Sequence, residues 1–183
     1  MTATIEVIAS EGYRAATLAR VAAHAGLSST RLISYHFAGK DDLMRAVVGS
    51  VYGHIGPFVA ERVARHDDQR SKLEAFIRSV VEFISAHREP MQALMSIFVE
   101  HPFADDDAAN YDDQRAFDPL EKILREGQEA GEFVDFDVFV VASIIQRSLD
   151  GLPFLLRTKS DLDPDSYADQ LVALFARATA RER

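Results

Sequence analysis

No cysteine occurs among the 183 residues, which excludes a disulfide framework and any thiolate metal site. The histidines number six (His24, His36, His54, His66, His87 and His101), and none has the close paired spacing of a metal site, so neither a metal nor another cofactor is expected. The nucleophile-elbow pattern GxSxG, a glycine loop able to cradle phosphate and the HExxH signature are all missing, so no catalytic residue is assigned. The first apolar stretch, Ile5 to Ala9, is too short for a signal peptide and follows no basic residue. No apolar run is read as long enough to cross a membrane, which leaves a cytoplasmic protein as the expectation.

A hydrophobic share of 48% is enough for a sizeable core. The formal net charge of −9 argues at first against a nucleic-acid partner, yet its distribution is uneven. Residues 1–50 hold five basic side chains (Arg14, Arg20, Arg31, Lys40, Arg45) against four acidic ones, and the remainder holds 15 against 25. A nearly neutral amino-terminal end on an acidic body would meet a phosphate backbone end-on.

The organising stretch is TLARVAAHAGLSSTRLISYHFAGKDDL, Thr17 to Leu43. Leu18, Val21, Ala22 and Ala25 recur at helical spacing. Gly26 permits a left-handed turn. Leu27, Leu32, Ile33 and Phe37 are read as the apolar side of a second short helix, capped by Ser28 or Ser29. Two short helices about a glycine turn form a helix-turn-helix, whose second helix ordinarily enters the DNA major groove.

At these residues the chain resembles the tetracycline-repressor (TetR) family of bacterial transcriptional regulators. The resemblance lies in Thr17 capping the second helix, the Ala25-Gly26-Leu27-Ser28 turn, Tyr35-His36-Phe37 closing the third helix, and Lys40 opening the fourth. The segment from Gly26 to Tyr35 is one residue longer than the commonest family spacing, and Ser34 stands where an aromatic is frequent. The resemblance implies an all-α fold of nine or ten helices, with a DNA-binding domain over 1–38 and a ligand-binding and dimerisation domain over 39–183. It also implies a homodimer that binds a palindromic operator and is released by a small, mostly apolar effector. A helical small-molecule-binding or adaptor protein without a specific operator is the alternative.

The candidate DNA contacts are Thr17, Ser29, Thr30, Arg31, Ser34, Tyr35, His36 and Lys40. A guanidinium can grip guanine O6 and N7 together, so Arg31 is the leading base reader. Thr17, Tyr35 and Lys40 match the family's phosphate-contacting positions, although Tyr35 and His36 could equally pack or cap the helix end.

Further along, Ile5, Ile8 and Ala9 are read as the inner face of the first helix. Gly56-Pro57 predicts a kink, or a new helix starting at Pro57, because proline removes a backbone bond. Met91, Leu94, Met95, Phe98 and Val99 are placed inward on a helix that begins near Pro90 and stops at Pro102. Asp105 to Asp113 reads as an acidic loop or the fraying start of the next helix. The segment from Asp135 to Arg157 is apolar nearly all round, which predicts burial on both sides. The effector candidates are Phe58, Phe83, Met91, Met95, Phe98, Phe103, Phe117 and Gln146, since aromatic and methionine side chains line adaptable pockets as readily as cores. The interface candidates are Ile144, Arg147, Gly151, Leu171, Leu174, Phe175 and Ala178. Gln146, Arg147 and Asp150 are polar groups on an apolar helix that need partners in a ligand, a second subunit or each other.

Overall fold

The computed structural model describes residues 1–100 and 113–181. Ten α-helices and no strands occur among them: α1 Thr2–Glu11, α2 Leu18–His24, α3 Arg31–His36, α4 Lys40–Val63, α5 Gln69–Ala86, α6 Arg88–Glu100, α7 Asp113–Glu129, α8 Val138–Asp150, α9 Leu152–Thr158 and α10 Pro164–Thr179. A 3-10 turn at Tyr13–Ala15 joins α1 to α2. Phe103, Pro102, His101 and the acidic run from Asp105 lie outside the described residues.

The chain divides into two compact units. The first comprises Met1–Ile55 with His87–Pro102, and the second comprises Gly56–Ala86 with Phe103–Arg183. This division differs from a cut at residue 38, because α6 is grouped with the amino-terminal helices. In the first unit α1 packs against α6, and Gln92 Nε2 donates to the Ala9 carbonyl at 3.1 Å. Thr4, Val7 and Ile8 form the buried face of α1, so the expected set of Ile5, Ile8 and Ala9 is corrected by one step of helical phase. On α6 the buried residues are Met91, Ala93, Leu94, Met95 and Ile97, whereas Val99 is 75% exposed and not inward.

Helix α4 runs unbroken through Pro57, so the expected new helix at that residue does not occur. Proline forfeits one backbone bond here, a local loss that the rest of a 24-residue helix tolerates. A Cβ added at Gly49, Gly53 or Gly56 would meet open space, so no close packing demands glycine there.

The second unit is built around α5, which packs on α7 and α10. Its apolar face, Leu73, Phe76, Ile77, Val80, Val81, Phe83 and Ile84, is buried. Its amino end is held from outside the helix. The Glu132 carboxylate accepts from the backbone N–H of Gln69 (3.0 Å) and of Arg70 (3.1 Å). A carboxylate there satisfies otherwise unpaired N–H groups and complements the helix dipole. Glu132 reaches that position because Gly131 (φ 71°) closes α7, with Glu132 N–H donating to the Gly127 carbonyl and Gly131 N–H to that of Gln128.

Gly127 carries a second constraint. A Cβ added there would fall inside the ring of Phe133, which is 3% exposed. Phe133 cannot retreat easily, since its own N–H bonds to Gly127 and a backbone bridge pairs it with Ala180. In an open helix Gly→Ala would be worth about 1 kcal/mol of stability. Here overpacking wins, and Gly127→Ala is expected to lower stability by about 1–3 kcal/mol, read as a lower denaturant midpoint at unchanged slope. An unchanged or raised midpoint would contradict the packing.

Candidate nucleic-acid interface

Thr17 is the N-cap of α2, its side-chain oxygen accepting from Arg20 N–H at 3.1 Å. The helix ends in a Schellman arrangement: Gly26, with φ 71°, donates to the Ala23 carbonyl, and Leu27 donates to Ala22. This turn aims the chain into α3. Thr30 rather than Ser28 or Ser29 occupies the N-cap position of α3, and no side chain caps it. Ser29 Oγ comes only to 3.4 Å from Arg31 N.

Only Ile33 of α3 is buried, and Leu27 and Phe37 are half-buried beside it. Leu32, read from sequence as part of the apolar side, is 54% exposed and faces out. The reason is phase, because one residue turns the helix by about 100° and Leu32 precedes the inward Ile33. The outward residues of α3 are thus Arg31, Leu32, Ser34, Tyr35 and His36, with Tyr35 82% exposed and edge-on to the His36 ring. Thr30 is half-buried; Thr17 and Ser29 are exposed.

The five cations of residues 1–50 do not share one fate. Arg14 pairs with Glu100 at 3.3 Å, and Arg45 lies 3.9 Å from Asp42. Arg20 clasps Glu11 through Nε and Nη2, a hydrogen bond that holds the Glu11 carboxyl below its ordinary range. Lys40 donates from Nζ to the Tyr13 carbonyl at 2.8 Å, and its ammonium lies 3.9 Å from the centre of that ring. Burial pushes the Lys40 pKa down, against the raising charges of Asp41 and Glu100. Arg31 is exposed and makes no ion pair among the described residues, so its charge stands ready for an outside partner.

Lys40 is therefore a brace for the head, whatever else it touches. Lys40→Ala is expected to cost about 1–2 kcal/mol of stability through the lost hydrogen bond and cation–π contact, measured by thermal or denaturant unfolding. A side chain serving phosphate alone would leave the midpoint unmoved. Sequence reasoning missed this brace, together with the Arg20–Glu11 clasp and the His24–Glu6 contact at 2.8 Å. The clasp joins residues nine apart and the other two join residues 27 and 18 apart, beyond any local pattern.

In the second unit α8 opens on Asp137, whose carboxylate accepts from Val140 N–H at 3.1 Å. Ala142, Ile145 and Leu149 are buried, while Phe139, Val140 and Ile144 are 60%, 49% and 54% exposed, so within one chain the helix is not buried on both sides. Gln146 and Arg147 each donate to the Asp150 carboxylate at 2.8 Å, an association within the helix. On α10 the interface candidates divide between core and surface. Phe175 is buried in the core, correcting its place among interface residues, whereas Leu174 is 51% exposed and Ala178 is exposed beside half-buried Leu171. Tyr167 Oη on α10 donates to the Ser148 carbonyl of α8 at 2.7 Å.

An apolar stretch, Val138–Thr158, spans α8 and α9 and reaches a mean hydropathy of 1.4 over an 18-residue window. Arg147 and Asp150 sit within that stretch, and only 28% of its most apolar window is buried.

The effector candidates are distributed over both units. Phe58, Phe83, Phe117 and Gln146 belong to the second, and Met91, Met95 and Phe98 to the first. Phe58 stacks edge-on with Phe83 and is covered by the Arg62 guanidinium at 3.4 Å. A cavity of about 160 Å³ in the second unit, lined by Leu73, Ile77, Phe133, Val172 and Phe175 with Arg70 and Glu74, includes none of these candidates. It is smaller than the roughly 300 Å³ at which ligand pockets begin. Among the described residues no group of three or more His, Asp or Glu side chains could hold a metal ion.

Residues 1–47, which carry every feature of this head down to Lys40, match the family described as bacterial regulatory proteins, tetR family. Over that head the chain is similar to bacterial regulators of the tetR family. A curated relative of the tetR-type head, the HTH-type transcriptional regulator BetI 1 of Chromohalobacter salexigens, is 37% identical over 76 residues. That match covers 41% of this chain and 37% of the relative, so the chain spans little more than a third of it. Solved structures share the fold along nearly the whole chain. A tetR-family regulatory protein from Rhodococcus RHA1 superposes with a TM-score of 0.86 at 20% identity, over 100% of this chain and 95% of that one. A putative fatty acid metabolism regulator of Clostridium perfringens gives 0.82 at 18% identity, over 99% and 98% of the chains. The regulator FadR of Bacillus subtilis, solved in complex with stearoyl-CoA, gives 0.82 at 19%, over 96% and 95%.

Proposed function

We propose that the protein is a cytoplasmic, DNA-binding transcriptional repressor, not an enzyme, that acts as a homodimer and is released from its operator by a small, mostly apolar effector. The observation that carries the reading is the outward ridge of α3, where an exposed Arg31, without an ion pair among the described residues, stands with Ser34, Tyr35 and His36 on a helix packed through Ile33. Arg31 would read a guanine. Thr17, Ser29, Thr30, Ser34, Tyr35, His36 and Lys40 would set register on phosphate and sugar.

Support for the second copy comes from α8 and α10, whose exposed Phe139, Val140, Ile144 and Leu174 leave an apolar surface that a soluble monomer has reason to cover. Two copies would place two α3 helices in successive major grooves about 34–36 Å apart. Of the effector candidates, Phe58, Phe83 and Phe117 lie in the second unit, and acyl thioesters are the first compounds to try, given the stearoyl-CoA in the Bacillus subtilis structure of the same fold. The effector acts by binding more tightly to a conformation that cannot span both half-sites.

Selection of duplexes from a random pool tests this directly. A palindromic site is expected, with half-sites about one helical turn apart and with binding abolished by an effector found in a compound screen. A pool that shows no enrichment would leave a helical small-molecule-binding or adaptor protein in its place.

A further inference from the structure

We infer that Leu32 is a second base-reading residue, and that it reads thymine through its 5-methyl group. The inference rests on the DNA-binding reading above and adds to it a chemical class of contact. In residues 1–55 the exposed large apolar side chains are Met1, Leu32 and Tyr35, and two of these three lie on a six-residue helix. The inward need of that helix is met by Ile33, so Leu32 is not a core side chain out of place. One turn further along α3 stand the exposed Tyr35, with its hydroxyl, and His36, while the exposed Ser28 and Ser29 precede the helix.

Leucine has no donor or acceptor, so against phosphate it would strip water and return nothing. The apolar feature a major groove offers is the thymine methyl, which projects from the floor that such a helix faces. Arg31 and Leu32 are separated by about 1.5 Å of rise and 100° of turn, which places that thymine within about two base pairs of the guanine read by Arg31.

The experiment uses the full chain and the selected duplex, with each thymine replaced in turn by deoxyuridine. That exchange removes the methyl and keeps every hydrogen-bonding group. At one or two positions in each half-site the affinity is expected to fall roughly fourfold, the value of one apolar group of that size. Leu32→Ala, which alters an exposed side chain and keeps the wild-type melting temperature, should bind thymine and uracil equally there. Uracil tolerated everywhere, or a penalty that persists in Leu32→Ala, overturns the assignment. If no duplex binds specifically, the regulatory reading falls and this one with it; if a duplex binds and uracil costs nothing, this one falls alone.

Discussion

Placing glutamate at both Ile144 and Leu174 should give a folded monomer that no longer holds its operator. Both side chains are about half exposed, so the charges enter water in the separated chain and cost the fold little. In an assembled pair each carboxylate would be driven into an apolar contact, where an unpaired charge is penalised severely. Loss of the pair turns a two-headed grip into a single-headed one. Tethering two binding heads raises affinity by about a hundredfold to ten-thousandfold, and that factor should disappear. Sedimentation would show the 20.3 kDa chain alone, with an unchanged circular dichroism spectrum. A dimer that persists in this variant would place the subunit contact elsewhere. Phe175→Glu is the informative contrast: Phe175 is 5% exposed, so its charge should unfold the second unit rather than separate two subunits.

Arg31→Ala carries the second large effect. Specific affinity should fall by about 1–3 kcal/mol, and base preference should relax at one position of each half-site. The contrast with the other cations makes the prediction sharp. Arg14, Arg20 and Arg45 have carboxylate neighbours, and Lys40 is drawn onto Tyr13. Their removal should disturb the fold, or weaken all sequences alike, before it alters preference. If Arg31→Ala weakened every duplex equally, Arg31 would be a phosphate contact instead.

Much of the head was legible because its signals are local. Thr17 three residues before Arg20, and Gly26 after a short apolar run, need only neighbouring residues to specify a cap and a Schellman turn. Helix order was likewise readable, since each element carries its own apolar period. Phase was less secure in short helices. Leu32 and Ile33 are both apolar in a six-residue helix, and nothing local says which of the two points inward. Val99 near the end of α6 failed in the same way, and on α1 Ile5 and Ala9 flank the true inner face.

Partnerships across long sequence separations were not legible. Glu132 caps a helix that begins 63 residues earlier, and Phe133 lies against Gly127 only because the Gly131 turn folds it back. Composition marked Phe58, Phe83 and Phe117 as pocket or core without deciding between the two, since both environments favour the same side chains. Division of the candidates between two units likewise depends on where α6 packs, which its own sequence does not state.

The most direct measurement compares the affinity of the intact protein for its selected duplex with that for a scrambled duplex of equal length and composition, at one fixed salt concentration. The selected duplex should bind at least about a thousandfold more tightly. Equal affinity for the two would mean that the α3 ridge meets only the phosphate backbone, or no nucleic acid at all.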